Sequence, residues 1–295
     1  MGVAGGLHHI VHAVRDLDAA AAFYRRAGFT LGTRNRHPWG THNYTVQLQG
    51  FYIELLTLAE PDKLGSDGLS LHFGQFNRGA IARGDGLSML LRQSADIEAD
   101  ADDFARSGIG SSGPLSFTRA ATLADGTVAT LGFSLAFARA GGSPRAGFAA
   151  CQEHNPAMFW NEAFQRHENG AREVAGVVLT AEDPAGYRDF LMAFTRVREV
   201  RPTATGIAAS TPRGQIDIMP EIGFSETFGV VAARPGEGLR LAGLRMVVRD
   251  LAALGQLLER REVAASRHAG RVVIGPEPAF GATLIFEAQM KGTLT

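Results

Sequence analysis

A histidine and a glutamate near the start of the sequence occupy positions from which they could bind a metal ion. His9 lies in the apolar run 7–14, and Glu54 lies inside the apolar run 52–56. A carboxylate within an apolar run is costly to bury unless it binds a cation or accepts hydrogen bonds. Imidazole nitrogen and carboxylate oxygen suit zinc, iron, manganese or nickel rather than calcium. The two residues therefore predict a divalent metal site with Glu54 as the catalytic residue, and a metal-free hydrogen bond between them is the alternative.

The alternation of side chains along a strand predicts which of these groups face each other. On the first apolar run, His9 lies on one face, while His8 and His12 lie on the other, which we expect to pack on helices or to meet solvent. On the later run, Tyr52 and Glu54 share a face. Alternation therefore predicts that His9, Tyr52 and Glu54 line one concave surface.

A transition-metal site needs three or four ligands, so the pair requires a third residue. His154 follows an apolar run of the second module, and we take it as the third ligand. Gln152, which ends the same run, and His42 are the alternatives.

The segment 37–43 is a dense cluster of polar and aromatic residues on a glycine-containing turn that leads into a strand. Two histidines, an indole and an amide are typical of a pocket rim, where aromatic bulk stacks on a ligand and polar groups orient it. A surface turn in which Trp39 covers the end of a barrel is the alternative. We assign His37, Trp39, His42 and Asn43 to substrate binding on this basis.

A second aromatic group lies at Phe159 and Trp160, in a segment that fits no repeated unit. Linkers are usually small and polar, so these residues indicate that the segment packs on something. It forms either a lid over the pocket or a clamp between two halves of the chain, and the clamp is the preferred interpretation. Phe159 and Trp160 join Tyr52 and Gln152 as further candidates for substrate binding.

The elements that must position these residues repeat along the chain. An apolar run, an aspartate and a helix-forming segment follow one another four times, with the aspartates at Asp16, Asp96, Asp183 and Asp250. Such an aspartate can cap a helix by accepting hydrogen bonds from first-turn amides. Short apolar runs bounded by Gly or Pro follow each helix and predict strands. The repeat therefore predicts four βαβββ modules.

The modules divide the chain into two similar halves. We expect one half at 1–152, a linker at 153–172 and a second half at 173–295. Within the second module, Asp125-Gly126 separates two apolar runs and predicts a β-hairpin. The sequence therefore predicts an α+β fold and argues against a parallel sheet interleaved with helices.

Composition and charge exclude several classes of protein. The 295 residues are 45% hydrophobic and 20% charged with a formal net charge of −1, which is typical of a globular chain without a basic surface for nucleic acid or anionic membrane. The sequence has no apolar run long enough to span a membrane and no phosphate-binding loop, so we expect no membrane partner and no nucleotide cofactor. The single cysteine, Cys151, excludes an internal disulfide and agrees with a cytoplasmic protein.

The first module carries motifs of a known superfamily. It reads LHHIVHAVRDLDAAAAFYRRAGF, and GTHNYTVQL and FYIELL follow. These motifs resemble the glyoxalase, bleomycin-resistance and extradiol-dioxygenase superfamily, also called vicinal-oxygen-chelate proteins, and within it the glyoxalase-like domain group. The resemblance implies that modules pair into curved half-barrel sheets with helices outside, each pair enclosing a pocket. It also implies that a divalent metal is held by a histidine of a first strand and a glutamate of a last strand, which are His9 and Glu54 here.

The later modules match only in shape and depart from the metal-binding pattern. Counted back from the capping aspartates, Met89, Gly176 and Gly243 stand where the first module has His9. None of them can replace imidazole as a ligand. We therefore expect the pocket and any metal in the first half, and a degenerate, more apolar second half that serves structural pairing or homodimer formation.

Two functions follow as expectations. The first is a metal-dependent enzyme of the lyase, isomerase or dioxygenase type, which binds neighbouring oxygens of a small organic molecule and stabilises the oxyanion that forms. The second is a metal-free binding or resistance protein that uses the same pocket. For the enzyme, protonation of an imidazole near its usual pKa of about 6.5 would release the ion below roughly pH 6.

Overall fold

A computed structural model describes residues 5–110, 113–122, 126–232 and 238–289. These residues form two sheets of eight strands each, with helices packed against them. A strand, a helix and three strands recur four times, so the predicted α+β fold of four βαβββ modules is confirmed. Among the helices in these ranges, none is both long and apolar enough to cross a membrane.

The first sheet is built from two modules joined by a helical segment. The first module consists of β1 (Leu7–Ala13), α1 (Leu17–Arg26), β2 (Asn35–Arg36), β3 (Thr41–Leu48) and β4 (Phe51–Leu58). The joining segment contains a 3-10 turn (Pro61–Lys63), a π-helical turn (Ser70–Gln75) and α2 (Phe76–Arg83). The second module consists of β5 (Gly86–Gln93), α3 (Ile97–Arg106), β6 (Leu115–Thr122), β7 (Val128–Ala138) and β8 (Gly147–Glu153).

The second sheet repeats this order after the short helix α4 (Pro156–Phe159). Its first module consists of β9 (Ala171–Thr180), α5 (Arg188–Thr195), β10 (Arg201–Thr203), β11 (Gly206–Ser210) and β12 (Gln215–Met219). Helix α6 (Glu221–Phe228) leads to the last module. That module consists of β13 (Arg240–Val248), α7 (Leu251–Arg260), β14 (Ser266–His268), β15 (Arg271–Ile274) and β16 (Thr283–Ala288).

The strand order brings the first strands of two modules together at the centre of each sheet. In the first sheet the order is β2-β3-β4-β1-β5-β8-β7-β6, and β1 pairs in parallel with β4 and antiparallel with β5. The sheet curls so far that its edge strands β2 and β6 meet. Arg119 Nη1 on β6 donates a hydrogen bond of 2.8 Å to Asn35 Oδ1 on β2. The first half therefore comes close to a closed barrel with an enclosed concave face.

Aspartates cap three of the four module helices, as the sequence predicts. The side chains of Asp16, Asp96 and Asp250 accept hydrogen bonds from first-turn amides of α1, α3 and α7. Asp183 does not cap α5. Its carboxylate accepts a hydrogen bond from the first amide of a 3-10 turn, Ala185–Tyr187, that comes before the helix. The prediction that Asp183 caps a module helix was wrong, because a 3-10 turn separates this residue from the start of α5.

The two strands of the hairpin predicted in the second module are present and paired. β6 and β7 pair antiparallel from Leu115 opposite Leu135 to Thr122 opposite Val128. Asp125 lies outside the described residues. Gly126 has a φ of 84°, a left-handed conformation that glycine adopts without strain.

A buried charge network links the two halves. Arg92 on β5 is 1% exposed, and its Nη1 donates a hydrogen bond of 3.0 Å to Asp100 Oδ2 on α3. Its Nε donates to the carbonyl of Phe194 on α5, in the second half. Arg196 of the second half also contacts Asp100, at 2.9 Å. Each of these charges is compensated only while its partners stay in place.

The concave face of the second sheet is filled. Phe224 and Phe228 of α6 pack into an apolar cluster with residues of the strands. Beyond them, Arg245 forms ion pairs with Asp217 at 2.7 Å and with Glu287 at 2.9 Å. The expected apolar character of this half therefore holds beneath α6, whereas these charged residues form ion pairs elsewhere on the face.

Removal of Asp100 should destabilise the protein. Asp100→Ala leaves the buried Arg92 without its carboxylate, so we expect the free energy of unfolding to fall by about 3–5 kcal/mol. Asp102, which is exposed on the same helix, is the matched control. Asp102→Ala should change this free energy by no more than about 0.5 kcal/mol. Urea unfolding followed by circular dichroism measures both, and equally small effects would contradict the structural role of the network.

Candidate active site

The concave face of the first sheet lines a partly open cavity of about 400 Å³, a volume that includes space open to solvent. Strands of both modules line it, and the π-helical turn between them contributes Phe73. The lining combines aromatic and apolar side chains with six polar or charged ones. The lining residues are His9, His37, Trp39, Asn43, Thr45, Tyr52, Glu54, Phe73, Phe117, Arg119, Phe133, Leu135 and Cys151.

Glu54 lies on β4 with its side chain turned to the cavity, as strand alternation predicts. The residue is 4% exposed, and Asn43 Nδ2 donates a hydrogen bond of 2.5 Å to its Oε1. Burial raises the pKa of Glu54 to about 7, against the lowering effects of the Asn43 hydrogen bond and of Arg119. The ionised carboxylate is therefore incompletely compensated by the chain.

Two imidazoles approach this carboxylate from different elements. His9 Nε2 on β1 is 3.9 Å from Glu54 Oε2, and His37 Nε2 on the turn before β3 is 3.8 Å from Glu54 Oε1. Among the described residues, neither Nε2 has a hydrogen-bond partner. The structure thus brings His9 and Glu54 together, and it adds His37, which the sequence assigned to substrate binding, as the third group.

Burial keeps both imidazoles neutral. It lowers the pKa of His9 well below the usual value, with His8 and His37 as further causes. It lowers the pKa of His37 to about 3, with Arg119 and His42 adding to the effect. Both side chains are therefore unprotonated at neutral pH, and each can offer a lone pair to a cation.

The ring faces of the two imidazoles are held by aromatic neighbours. His37 stacks on Trp39 with ring centroids 4.7 Å apart, and His9 stacks on Tyr52 at 4.4 Å. His37 Nδ1 also lies 2.9 Å from Thr41 Oγ1. Partners of this kind orient a metal-binding imidazole and fix its tautomer. Trp39 and Tyr52 therefore support the imidazoles as well as lining the cavity.

His8 lies on the concave side, contrary to the expectation from alternation. It is 1% exposed and packs edge-on against Tyr52 at 5.4 Å. The pairing of β1 with β5 shifts between Leu7 and His9, and this β-bulge turns His8 and His9 to the same side. With the buried Cys151, the two histidines form a second group of candidate ligands whose donor atoms lie within 4.8 Å of one another.

Three residues predicted for the site do not reach the cavity. His154 Nε2, the predicted third metal ligand, lies 2.7 Å from a serine hydroxyl of β7. Gln152 accepts a hydrogen bond of 3.0 Å from the first amide of α3. His42 Nε2 is 2.8 Å from Glu60 Oε1. Because strand residues alternate, the inward position of Cys151 leaves Gln152 facing the helices.

Phe159 and Trp160 pack on the cavity side of the first half rather than between the halves. Their ring centroids lie 4.9 Å and 5.9 Å from that of Tyr52. Phe159 also meets Phe133 at 5.9 Å, and Gln47 Nε2 donates a hydrogen bond of 2.8 Å to the Phe159 carbonyl. This packing fits the lid interpretation and not the preferred clamp.

Arg119 is a cavity residue that the sequence analysis did not identify. It is 8% exposed on β6, and its guanidinium carbon is 5.7 Å from the centre of the Phe133 ring. Burial lowers the pKa of Arg119, while the neighbouring Tyr52 and Glu54 raise it. Alternation along β6 places Arg119 on the same face as Phe117, and a charge on an apolar face was the signal that could have found it.

The donor set around Glu54 fits a divalent transition metal. Two neutral imidazoles and a carboxylate are suitable ligands, but their separations of 3.8 and 3.9 Å end on different oxygens of Glu54, so the three side chains would have to move closer together to share an ion. The group of His8, His9 and Cys151 fits less well. Two of its nitrogens, the Nδ1 atoms of His8 and His9, already contact each other at 2.7 Å.

Solved structures share this fold. A hypothetical protein from Staphylococcus aureus matches with a TM-score of 0.64 and 13% identity, over 96% of this chain and 99% of that chain. A mutant of 4-hydroxymandelate synthase from Streptomyces coelicolor matches with a TM-score of 0.53 and 11% identity, over 99% of this chain and 95% of that chain. A xylose isomerase-like TIM barrel/4-hydroxyphenylpyruvate dioxygenase fusion protein matches with a TM-score of 0.51 and 12% identity, over 99% of this chain and 50% of that chain. At these identities the likeness shows the fold alone.

The sequence comparisons identify the family. No curated protein matches the chain in sequence. A family model described as a glyoxalase-like domain matches residues 7–194, which is more than half of the chain and includes every strand around the cavity. This match confirms the resemblance found in the first module, and the chain belongs to the glyoxalase-like domain family of the vicinal-oxygen-chelate superfamily.

Proposed function

We propose that this protein is a metal-dependent enzyme that acts on a small oxygenated organic molecule. The observation that carries the proposal is the approach of His9 Nε2 and His37 Nε2 to the Glu54 carboxylate within the cavity of the first half. Both imidazoles are kept unprotonated by burial, which lowers their pKa values, and a metal ligand needs this state. A cation at this place would compensate a carboxylate that no Arg or Lys of the described residues pairs with directly.

His9, His37 and Glu54 would hold the metal. Bound there, a divalent cation would supply coordination of neighbouring substrate oxygens and stabilisation of negative charge. Asn43 donates to Oε1 of Glu54 and thereby fixes the orientation of the carboxylate. In the metal-free protein Glu54 can take or return a proton near neutrality, because its pKa is about 7, whereas a bound cation would favour its ionised form.

Arg119 would bind an anionic oxygen of the substrate. One guanidinium nitrogen is used by Asn35, and the planar group faces the cavity, where further N–H donors can reach a carboxylate. The aromatic walls at Trp39, Phe73 and Phe117 exclude water and so strengthen such charge interactions. We therefore expect a small organic anion with neighbouring oxygens and an apolar body.

The donor set favours an oxygenase among the reaction types of the family. Two histidines and one carboxylate are the ligands of non-haem iron(II) oxygenases. Two proteins that share the fold are named a 4-hydroxymandelate synthase and a 4-hydroxyphenylpyruvate dioxygenase fusion. The second name supports a dioxygenase-type reaction over a lyase or isomerase reaction here. A metal-free small-molecule binding protein is the alternative, which the aromatic lining of the cavity would also suit.

Metal binding should depend on His37 and not on His154. We expect untagged wild-type protein to bind a divalent ion and to melt at a lower temperature once a chelator removes it. His37→Gln and Glu54→Gln should lose the ion, because each removes one of three ligands, whereas His154→Gln should keep it. Elemental analysis, with thermal melts in the presence and absence of chelator, measures these outcomes.

His154→Gln is the matched control, since it changes a histidine of the first half whose Nε2 faces a serine rather than the cavity. Loss of the ion in His154→Gln and its retention in His37→Gln would restore the ligand set predicted from the sequence. If neither the wild type nor any variant binds an ion or responds to chelator, the alternative function, a metal-free binding protein, is correct instead.

Glu54 should make the metal-free protein less stable as pH rises towards neutrality. Its folded pKa of about 7 lies above the ordinary 4.5, so between these values the folded state keeps a proton that the unfolded state has lost. This contribution to stability is complete below pH 4.5 and is lost as pH rises through 7. Across that window, the free energy of unfolding of the wild type should fall by about 3 kcal/mol relative to Glu54→Gln.

The comparison with Glu54→Gln cancels the histidine contributions, which act in the opposite direction because burial lowers their pKa values. Urea unfolding of both proteins at several pH values, with chelator present, measures the difference. A difference that stays constant with pH would contradict the raised pKa. If the pKa is raised, the affinity for an ion should begin to weaken below about pH 7, because Glu54 takes up a proton in the metal-free protein, rather than only below pH 6 through an imidazole as the sequence suggested.

Arg119→Met should weaken the binding of anionic ligands. We expect small hydroxy and oxo acids to raise the melting temperature of the wild type more than their amides do. Loss of a charged hydrogen bond should weaken acid binding by about 1.5–3 kcal/mol, which is roughly 10- to 100-fold in Kd. Arg166→Met, which removes an exposed guanidinium, is the control. Equal responses of acids and amides would contradict a substrate anion at Arg119.

A further inference from the structure

A buried chain of polar groups lies directly behind His9. His9 Nδ1 is 2.7 Å from His8 Nδ1, and His8 Nε2 is 3.3 Å from Glu153 Oε1. Trp160 Nε1 donates a hydrogen bond of 2.9 Å to Glu153 Oε2. We call His8, Glu153 and Trp160 the relay, because they connect the lid segment to His9 through consecutive contacts.

Two local features of the backbone create the relay. The β-bulge in β1 turns His8 to the side of His9. Glu153 ends β8 two residues after the cavity-lining Cys151, so its side chain lies on the same concave side. The segment that carries Trp160 then covers this end of the cavity, with the indole 6.1 Å from the His8 ring.

The separation of 2.7 Å between the two Nδ1 atoms requires one hydrogen between them. A neutral imidazole carries one N–H and one bare nitrogen. If His9 donates, its Nε2 is bare and directs a lone pair towards Glu54. If His8 donates, His9 carries its hydrogen on Nε2 and cannot bind a metal through that atom. The direction of this one hydrogen bond therefore decides whether His9 can be a ligand.

Glu153 favours donation by His9. In that arrangement His8 carries its hydrogen on Nε2, opposite Glu153 Oε1. In the other arrangement a bare Nε2 would face a carboxylate oxygen at 3.3 Å, and the two lone pairs would repel each other. Among the described residues, His8 Nε2 and Glu153 Oε1 are buried and have no hydrogen-bond partner, because their own contact of 3.3 Å does not have hydrogen-bond geometry. With both imidazoles neutral, donation by His9 therefore gives Glu153 Oε1 a facing N–H that the other arrangement does not supply.

We propose that His8 and Glu153 are positioning residues that hold His9 as the tautomer with hydrogen on Nδ1. Trp160 orients Glu153 by donating to its second oxygen. The consequence for a metal rests on the function proposed above, whereas the tautomer is a property of the metal-free chain. Outer partners of this kind change metal affinity by about 10–100-fold in metalloproteins.

Glu153→Gln tests the relay with little change of shape. Glutamine can still accept the Trp160 hydrogen bond through its oxygen, and its NH₂ group then faces His8 Nε2 and donates to it. His8 must then carry its hydrogen on Nδ1, which drives His9 to the tautomer with hydrogen on Nε2. Glu162→Gln is the matched control, because it removes a carboxylate of the same segment whose side chain is 89% exposed.

Nitrogen-15 spectra of the histidine rings in metal-free protein measure the tautomer directly, and His9→Gln identifies the resonances. We expect hydrogen on His9 Nδ1 in the wild type and in Glu162→Gln, and on His9 Nε2 in Glu153→Gln. Titration with Zn²⁺ should then show about 10–100-fold weaker binding in Glu153→Gln and no change in the control.

Hydrogen on His9 Nε2 in the wild type would overturn the proposal, and so would an unchanged tautomer in a folded Glu153→Gln. Because the spectra need no metal, they separate the relay from the proposed function. If the tautomer is as expected and the wild type binds no ion, the metal centre is wrong and the relay stands. If an ion binds and the wild-type tautomer is the other one, the relay is wrong and the metal centre stands.

Discussion

The carboxylate of Glu54 lies 4% exposed among aromatic and apolar side chains, where its charge is costly unless hydrogen bonds or a cation compensate it. Asn43 donates one hydrogen bond, and burial keeps His9 and His37 neutral, so the compensation is incomplete and the pKa of Glu54 rises to about 7. The curvature of the first sheet causes this enclosure, because its edge strands meet and close the concave face. A metal ion is the group that would relieve the constraint, and the two neutral imidazoles are placed to share it.

The second half shows another solution to the same constraint. Asp217 pairs in register with Val178 as Glu54 pairs with Val11, so the two carboxylates hold equivalent places on their sheets. Asp217 has a cation from the chain itself, since Arg245 Nη1 lies 2.7 Å from it, and α6 fills the adjoining part of the face. One module type therefore gives an open cavity around an unneutralised carboxylate in the first half and a filled face with an ion pair in the second.

Strand alternation correctly placed His9 and Glu54 on one surface, because the pairing of β1 with β4 is regular from His9 opposite Tyr52 to Ala13 opposite Leu56. Alternation failed for His8, because a bulge adds one residue to β1 between Leu7 and His9. As a result, His8 and His9 face the same side of the sheet instead of opposite sides. His37 was recognised as a pocket residue but not as a partner of Glu54, because no periodicity relates a turn to a neighbouring strand. Arg119 stood on an apolar face of β6, and its sequence context alone did not show which charged groups it would meet.

The sequence by itself determined the order of strands and helices within the four modules, three of the four helix caps and the family, because apolar periodicity, capping aspartates and turn residues act over a few neighbouring positions. Only the tertiary structure decided that His37 and not His154 approaches Glu54, that Glu153 lies behind His8, and that the second concave face is filled. These outcomes depend on how strongly each sheet curls and on the register between strands far apart in the chain. Neither quantity is encoded in a local pattern. Residues of suitable type could therefore be found from the sequence, whereas which of them lie close together depends on how the sheet closes.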